Sequence, residues 1–199
     1  MQNVWDACGL EHYRVFSRGA VTELINVTSA GADPEIYIKI EKENSSWNVF
    51  VVHRGKGSKC YSSPSYISSQ AAAILMFYKC FIVSYKPFNS QRIEQELNEN
   101  GIWKTVEVVN DELLSCINSL EDDKILLQYD EDKLCVSYCY ANEHLCLVKC
   151  DRDLQAIFAY RYHVIALHEF KKAYHTIVKV LPEIRNEYFP MATMYLTKY

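Results

Sequence analysis

The sequence predicts an α+β protein, with mainly antiparallel sheet packed against one buried apolar helix and a long C-terminal helix. Three observations predict it. Glu35 to Glu41 alternates, with Ile36, Ile38 and Ile40 on one face and Tyr37, Lys39 and Glu41 on the other, the pattern of a half-buried strand. Ser68 to Val83 is the most apolar run of the chain, with Lys79 its only full charge. From Asp151 to Val180, apolar residues recur at helical spacing, as one helix, straight or bent near His163, or as two: Leu154, Ile157, Phe158, Tyr162, Ile165, Leu167, Phe170, Tyr174, Ile177 and Val178.

In chain order, residues 5–13 read as a short opening helix or turn closed by Gly9, and Glu23 to Val27 as a first strand. Pro34 fixes a turn before the strand 35–41, and Glu43 to Ser46 turns the chain into a partner strand at Trp47–Val52. His53 to Lys59 is a basic, glycine-containing hairpin turn before a short strand at Cys60–Tyr61. It lacks the Gly-Lys-Ser/Thr of a phosphate-binding loop, so anion contact is the minor reading. Ser62 to Ser65 offers N-caps for the apolar helix. Fifteen helical residues cover about 22 Å, less than a span of roughly 20 residues needs. A helix apolar all round therefore belongs inside the protein.

Pro87 to Ser90 separates two halves, 1–87 and 88–199, read together as one compact unit. Ser90 to Leu97 has the look of a capping box with Glu94, opening a short helix that ends near Gly101. Trp103 to Val109 reads as a strand and Asp111 to Ile117 as a second short helix. Lys124 to Tyr129, Lys133 to Tyr140 and His144 to Lys149 follow as consecutive strands, and Pro182 stops the long helix. Pro190 marks a tail that closes with a short helix. Strand group then apolar helix occurs twice in outline, as two βββα halves.

Composition narrows the function classes. The chain has 199 residues, 49% hydrophobic and 23% charged, which is the range of ordinary globular proteins. A net charge of −4 with no long basic run argues against nucleic acid as a partner. Neither a signal sequence nor a membrane span is visible, so the expected compartment is the cytoplasm, with no membrane partner. There the eight cysteines are expected mostly as thiols.

The candidate chemistry is concentrated in one hairpin. Cys135, Cys139, Cys146 and Cys150, with His144 among them, have the ingredients of a zinc site. If Ala141 to Glu143 form the turn, Cys139 faces Cys146 and Cys135 faces Cys150, all on one face beneath the long helix. The two pairs are then about 13 Å apart, too far for one ion with bonds of about 2.3 Å. Buried thiols are the favoured reading and cross-strand disulfides the alternative, so no metal and no cofactor is expected. Cys8 near His12 and Cys146 near His144 lack the context of a nucleophile, and no catalytic residue is assigned. His163, His168 and His175 form no i, i+4 ligand pair and read as solvated or capping residues.

The first half has a further pattern. Ala7-Cys8-Gly9-Leu10, Ala20 to Leu24, a strand ending in Trp47-Asn48-Val49, His53-Arg54-Gly55 and the aromatic apolar helix at 71–83 with Tyr78 resemble bacterial immunity proteins. The similarity, over residues 5–85, is to antitoxins of TNT-type NAD-hydrolysing toxins. The resemblance implies a protein that is not an enzyme and that binds a cognate protein toxin, occluding its substrate cleft. It transfers no contact residue. Exposed charge at sheet ends supplies the candidates: Arg54, Lys56 and Lys59 in the basic loop, Glu121, Asp122 and Asp123 before the 124–129 strand, and Asp130, Glu131 and Asp132 after it. The rival readings are an interaction module of phage, viral or host-interaction type, and a thiol enzyme.

Overall fold

The computed structural model describes residues 89–197, together with the backbone of five strands before them. Contacts group the chain into two compact units, Met1–Phe81 with Lys171–Tyr199, and Ile82–Phe170.

The five strands are β1 (Tyr13–Arg18), β2 (Val21–Asn26), β3 (Ile36–Glu43), β4 (Ser46–His53) and β5 (Gly57–Cys60), an antiparallel meander in sequence order. The alternating segment pairs with the Trp47 strand as expected, Ile38 opposite Val51 and Ile40 opposite Val49. Strand β1 is an addition to the sequence reading, and it opens at Tyr13, the last residue of the segment read as a short helix or turn. This sheet has five strands where the two-half outline has three. The apolar run 68–83 lies outside the described residues.

Three helices open the second unit. Helix α1 (Ser90–Asn100) is capped by Asn89, whose side chain accepts from the Arg92 amide at 3.1 Å, not by the Ser90 of the expected capping box. Its buried side chain is Ile93, and the pairs Gln95–Glu99 and Asn100–Glu96 support its wet face. Gly101, at φ +76°, closes α1 and admits α2 (Ile102–Glu112) directly, a left-handed position suited to glycine. Helix α2 replaces the expected strand at 103–109. Its β-branched content mimics a strand, but Ile102, Thr105 and Val109 bury one face at spacings of three and four. Asp111 and Glu112 therefore end α2 instead of starting the next helix, which is only Leu114–Ile117 (α3).

Next come β6 (Asp123–Asp130), β7 (Lys133–Tyr140) and β8 (Glu143–Cys150), an antiparallel three-stranded sheet with β7 central. Both hairpin turns have two residues, and the first of each takes a positive φ, +58° at Glu131 and +51° at Ala141. One face carries Ile125, Leu134, Val136, Tyr138 and Cys150, all buried, and on the other face Cys135 and Ser137 of the central strand are buried as well.

Helix α4 (Asp153–Val180) follows the sheet without a break in the 28 residues. Within the second unit the Tyr160 hydroxyl donates to Asn110 Oδ1 at 2.8 Å, tying α4 to α2. Burial pushes the Tyr160 phenol above its ordinary pKa. In the first unit, Pro182 opens a 3-10 turn (Pro182–Ile184), where the Tyr174 hydroxyl donates to the Ile184 carbonyl at 2.8 Å. The closing helix α5 (Tyr188–Thr197) buries Met191, Ala192, Tyr195 and Leu196, and Tyr188 meets Tyr174 edge-on. Among the described residues no helix is long and apolar enough to cross a membrane.

Candidate functional site

At one end of the three-stranded sheet, Glu121, Asp122, Lys124, Cys139, Tyr140 and Ala141 line a groove of about 440 Å3. Its floor follows from register, because Lys124 pairs with Cys139 and Asp123 with Tyr140. Buried Leu120 fixes the approach to β6, leaving Glu121 and Asp122 exposed at the rim. Among the described residues neither carboxylate has an ion-pair partner. Burial pushes the Cys139 thiol up, against the smaller opposing pull of Lys124, so it stays protonated at neutral pH.

Asp123 departs from its expected place on this surface. It is only 2% exposed and accepts from the Tyr138 hydroxyl at 2.7 Å. Tyr138 pairs with Ile125, two residues along β6 on the same face, so the carboxylate and the phenol are diagonal neighbours. The third acid of the cluster thus satisfies a buried tyrosine.

The second acidic cluster is at the opposite end of β6, about 23 Å away at 3.3 Å per residue. There one acid of the cluster is met by a lysine, Asp130 by Lys149 at 2.6 Å, and nearby Asp151 is met by Lys133 at 2.8 Å. Lys133 and Lys149 are held above the ordinary lysine pKa by hydrogen bonds to these partners, and Asp151 is held below the usual carboxylate range by Lys133. Glu131 and Asp132 form the tip of the turn. Trp103 of α2 lies nearby, 47% exposed and edge-on to Tyr129, which is 53% exposed, with centroids 6.0 Å apart. Composition gives no signal for that aromatic pair, because Trp103 falls in the segment read as a strand. Of the basic loop, Arg54 and Lys56 lie outside the described residues, and Lys59 is on β5 opposite Val51.

The cysteine hairpin corrects the predicted pairing. The turn is Ala141–Asn142, so Cys139 faces His144 rather than Cys146. An irregularity then admits one extra residue, Leu147, between the pairs Ser137–Cys146 and Val136–Val148. Beyond it, Cys150 pairs with Leu134 and joins the core face, while Cys135, Cys139 and Cys146 share the other face. Cys135 and Cys146 meet instead, their sulfurs 2.6 Å apart, with Ser137 Oγ 3.3 Å from Cys135 Sγ. Burial, then the contact with Cys135, pushes the Cys146 thiol up to about 11, and burial also raises Cys150. Among the described residues no group of three or more His, Cys, Asp or Glu is arranged to hold a metal ion. Cys8 and His12 lie outside the described residues.

The histidines of α4 differ from one another. His163 is buried rather than solvated, and its ring meets Tyr162 edge-on. His175 packs edge-on to Tyr174. His168 Nδ1 lies 2.5 Å from Ser119 Oγ, the spacing of a nucleophile and its base. The surrounding bonds give the pair another use. Ser119 donates its hydroxyl proton to the Cys116 carbonyl at 2.6 Å, which leaves the Oγ lone pairs to accept from the imidazole. The amides of Ser119 and Leu120 are already bonded to Cys116 and Ile117 carbonyls, so neither is open to an oxyanion. The chain from His168 through Ser119 to Cys116 closes the end of α3.

Comparisons with protein-family models, with curated proteins and with solved structures find no match.

Proposed function

We propose that this is an immunity protein, a non-enzymatic inhibitor that binds a cognate protein toxin of the NAD-hydrolysing kind and occludes its substrate cleft. The toxin class rests on the resemblance in residues 5–85, and the mode of binding on one observation in the second unit. Glu121 and Asp122 stand exposed at the rim of a groove, on an approach anchored by Leu120, with no ion-pair partner among the described residues. A cleft that binds the pyrophosphate of NAD must present cationic or N–H groups, and anchored carboxylates complement such a cleft. The raised thiols of Cys139, Cys146 and Cys150 support inhibition over thiol catalysis, since the thiolate is the nucleophile.

The broader reading, an interaction module with another kind of partner, is favoured by the exposed Trp103–Tyr129 pair, because exposed aromatics anchor many interfaces. Tagged capture from the native source, followed by an NAD-hydrolysis assay of what co-purifies, separates the two. A stoichiometric partner whose hydrolysis of NAD stops on binding supports inhibition. With that partner in hand, Glu121→Lys with Asp122→Lys slows association by about tenfold or more at low salt, an effect that shrinks as salt rises. Unchanged association moves the contact surface elsewhere, and a partner without such activity overturns the toxin reading.

A further inference from the structure

We propose that Cys135 and Cys146 are a modification site: a dithiol that closes to a cross-strand disulfide by exchange with a small disulfide of the glutathione type. The placement is independent of the groove. Strand β8 gains one residue between its pairings with Ser137 and Val136, and Cys146 sits immediately before that extra residue. Its sulfur reaches diagonally to Cys135, ending 2.6 Å away, inside ordinary contact of two unbonded thiols and beyond a bond of about 2.05 Å. The other described cysteines have different surroundings. Cys139 faces His144, Cys150 is on the opposite face, and Cys116 is buried in α3.

Exposure fixes the order of events. Cys146 is exposed, whereas Cys135 is 2% exposed, so glutathione disulfide meets Cys146 first. Cys146, having lost its proton to solvent, attacks one sulfur of glutathione disulfide, forming a mixed disulfide and expelling one glutathione thiolate. Cys135, deprotonated in turn, attacks the Cys146 sulfur, forming the Cys135–Cys146 bond and expelling the second glutathione thiolate. The protein loses two protons and two electrons, and one glutathione disulfide becomes two glutathiones. Because burial and the contact with Cys135 push the Cys146 thiol up to about 11, the first step is slow at neutral pH and accelerates roughly tenfold per pH unit from 7 to 9.

The test uses the full-length reduced chain incubated with glutathione disulfide, alkylated, digested and mapped by mass spectrometry. A Cys135–Cys146 linked peptide as the principal cross-link, removed by reductant, supports the site. In Cys135→Ser, Cys146 keeps one glutathione as a lasting adduct, because the resolving thiol is gone. In Cys146→Ser, a change at an exposed position, no bridge forms and Cys135 takes up no glutathione. A wild-type chain that retains glutathione on Cys146, or that joins Cys146 to Cys139, overturns the proposal. Should Cys135→Ser fail to fold, the wild-type map and Cys146→Ser still decide it.

Discussion

The two ends of the three-stranded sheet have nearly the same acidic composition, and each holds one acid and leaves two exposed, but by different means. Glu121-Asp122-Asp123 enters β6 and Asp130-Glu131-Asp132 leaves it. At the leaving end Asp130 is held by Lys149 from β8, and the neighbouring Lys133 holds Asp151. At the entering end one acid turns inward to a buried phenol, and two stand at the rim of a groove. Charge counted along a chain is therefore not charge offered to a partner. Strand register decides which carboxylates meet a cation, which are buried and which remain at the surface.

Four changes break or sharpen this contrast. The largest effect belongs to Tyr138→Phe, which removes a donor to buried Asp123 and is expected to destabilise the protein by about 1–3 kcal/mol in urea unfolding. Next is Ala141→Gly at the tip of the β7–β8 turn, where φ is +51°. Relief of the left-handed strain is expected to raise stability by about 1 kcal/mol, read as a higher urea midpoint with an unchanged slope.

Alkaline titration tests the thiol face. The folded Cys146 pKa, about 11, lies above the thiol's unfolded value of about 8.5. Its contribution to stability is thus fully present below pH 8.5 and is lost as pH rises toward 11. Unfolding of the reduced protein at pH 8, 9 and 10 should show that decline, and Cys146→Ser should flatten it. The smallest effect is expected of Lys149→Met at the paired end. Its exposed bridge to Asp130 is screened by salt, so the melting temperature should move little and not at all at high ionic strength. A loss there comparable with that of Tyr138→Phe would erase the distinction between the two ends.

Strands β6, β7 and β8 and the long helix α4 were legible in the sequence because their patterns repeat over many residues: alternation flanked by acidic turns, then ten apolar positions at helical spacing. Helix α2 was not. Over seven residues rich in valine, tryptophan and threonine, local preference points to a strand, and only burial of Ile102, Thr105 and Val109 on one side selects the helix. The thiol hairpin shows the same limit on a finer scale. Four cysteines in two strands were plain, but moving the turn by one residue changed every pairing, and one extra residue on β8 moved Cys150 to the other face. The candidate site was half legible. Glu121 and Asp122 were marked by charge alone, whereas the groove, the capture of Asp123 and the exposed Trp103–Tyr129 pair depend on residues far apart in sequence.

By itself, then, the sequence determined the elements that rest on periodicity and turn chemistry, including the stop at Pro182, because these depend on neighbours within a few residues. Tertiary structure alone decided which acid of each cluster is held and by what, which sulfurs meet and which histidine reaches a serine. Those outcomes depend on register and on the packing of elements distant along the chain. A shift of one residue reverses the facing of a strand's side chains without changing the composition that a sequence displays.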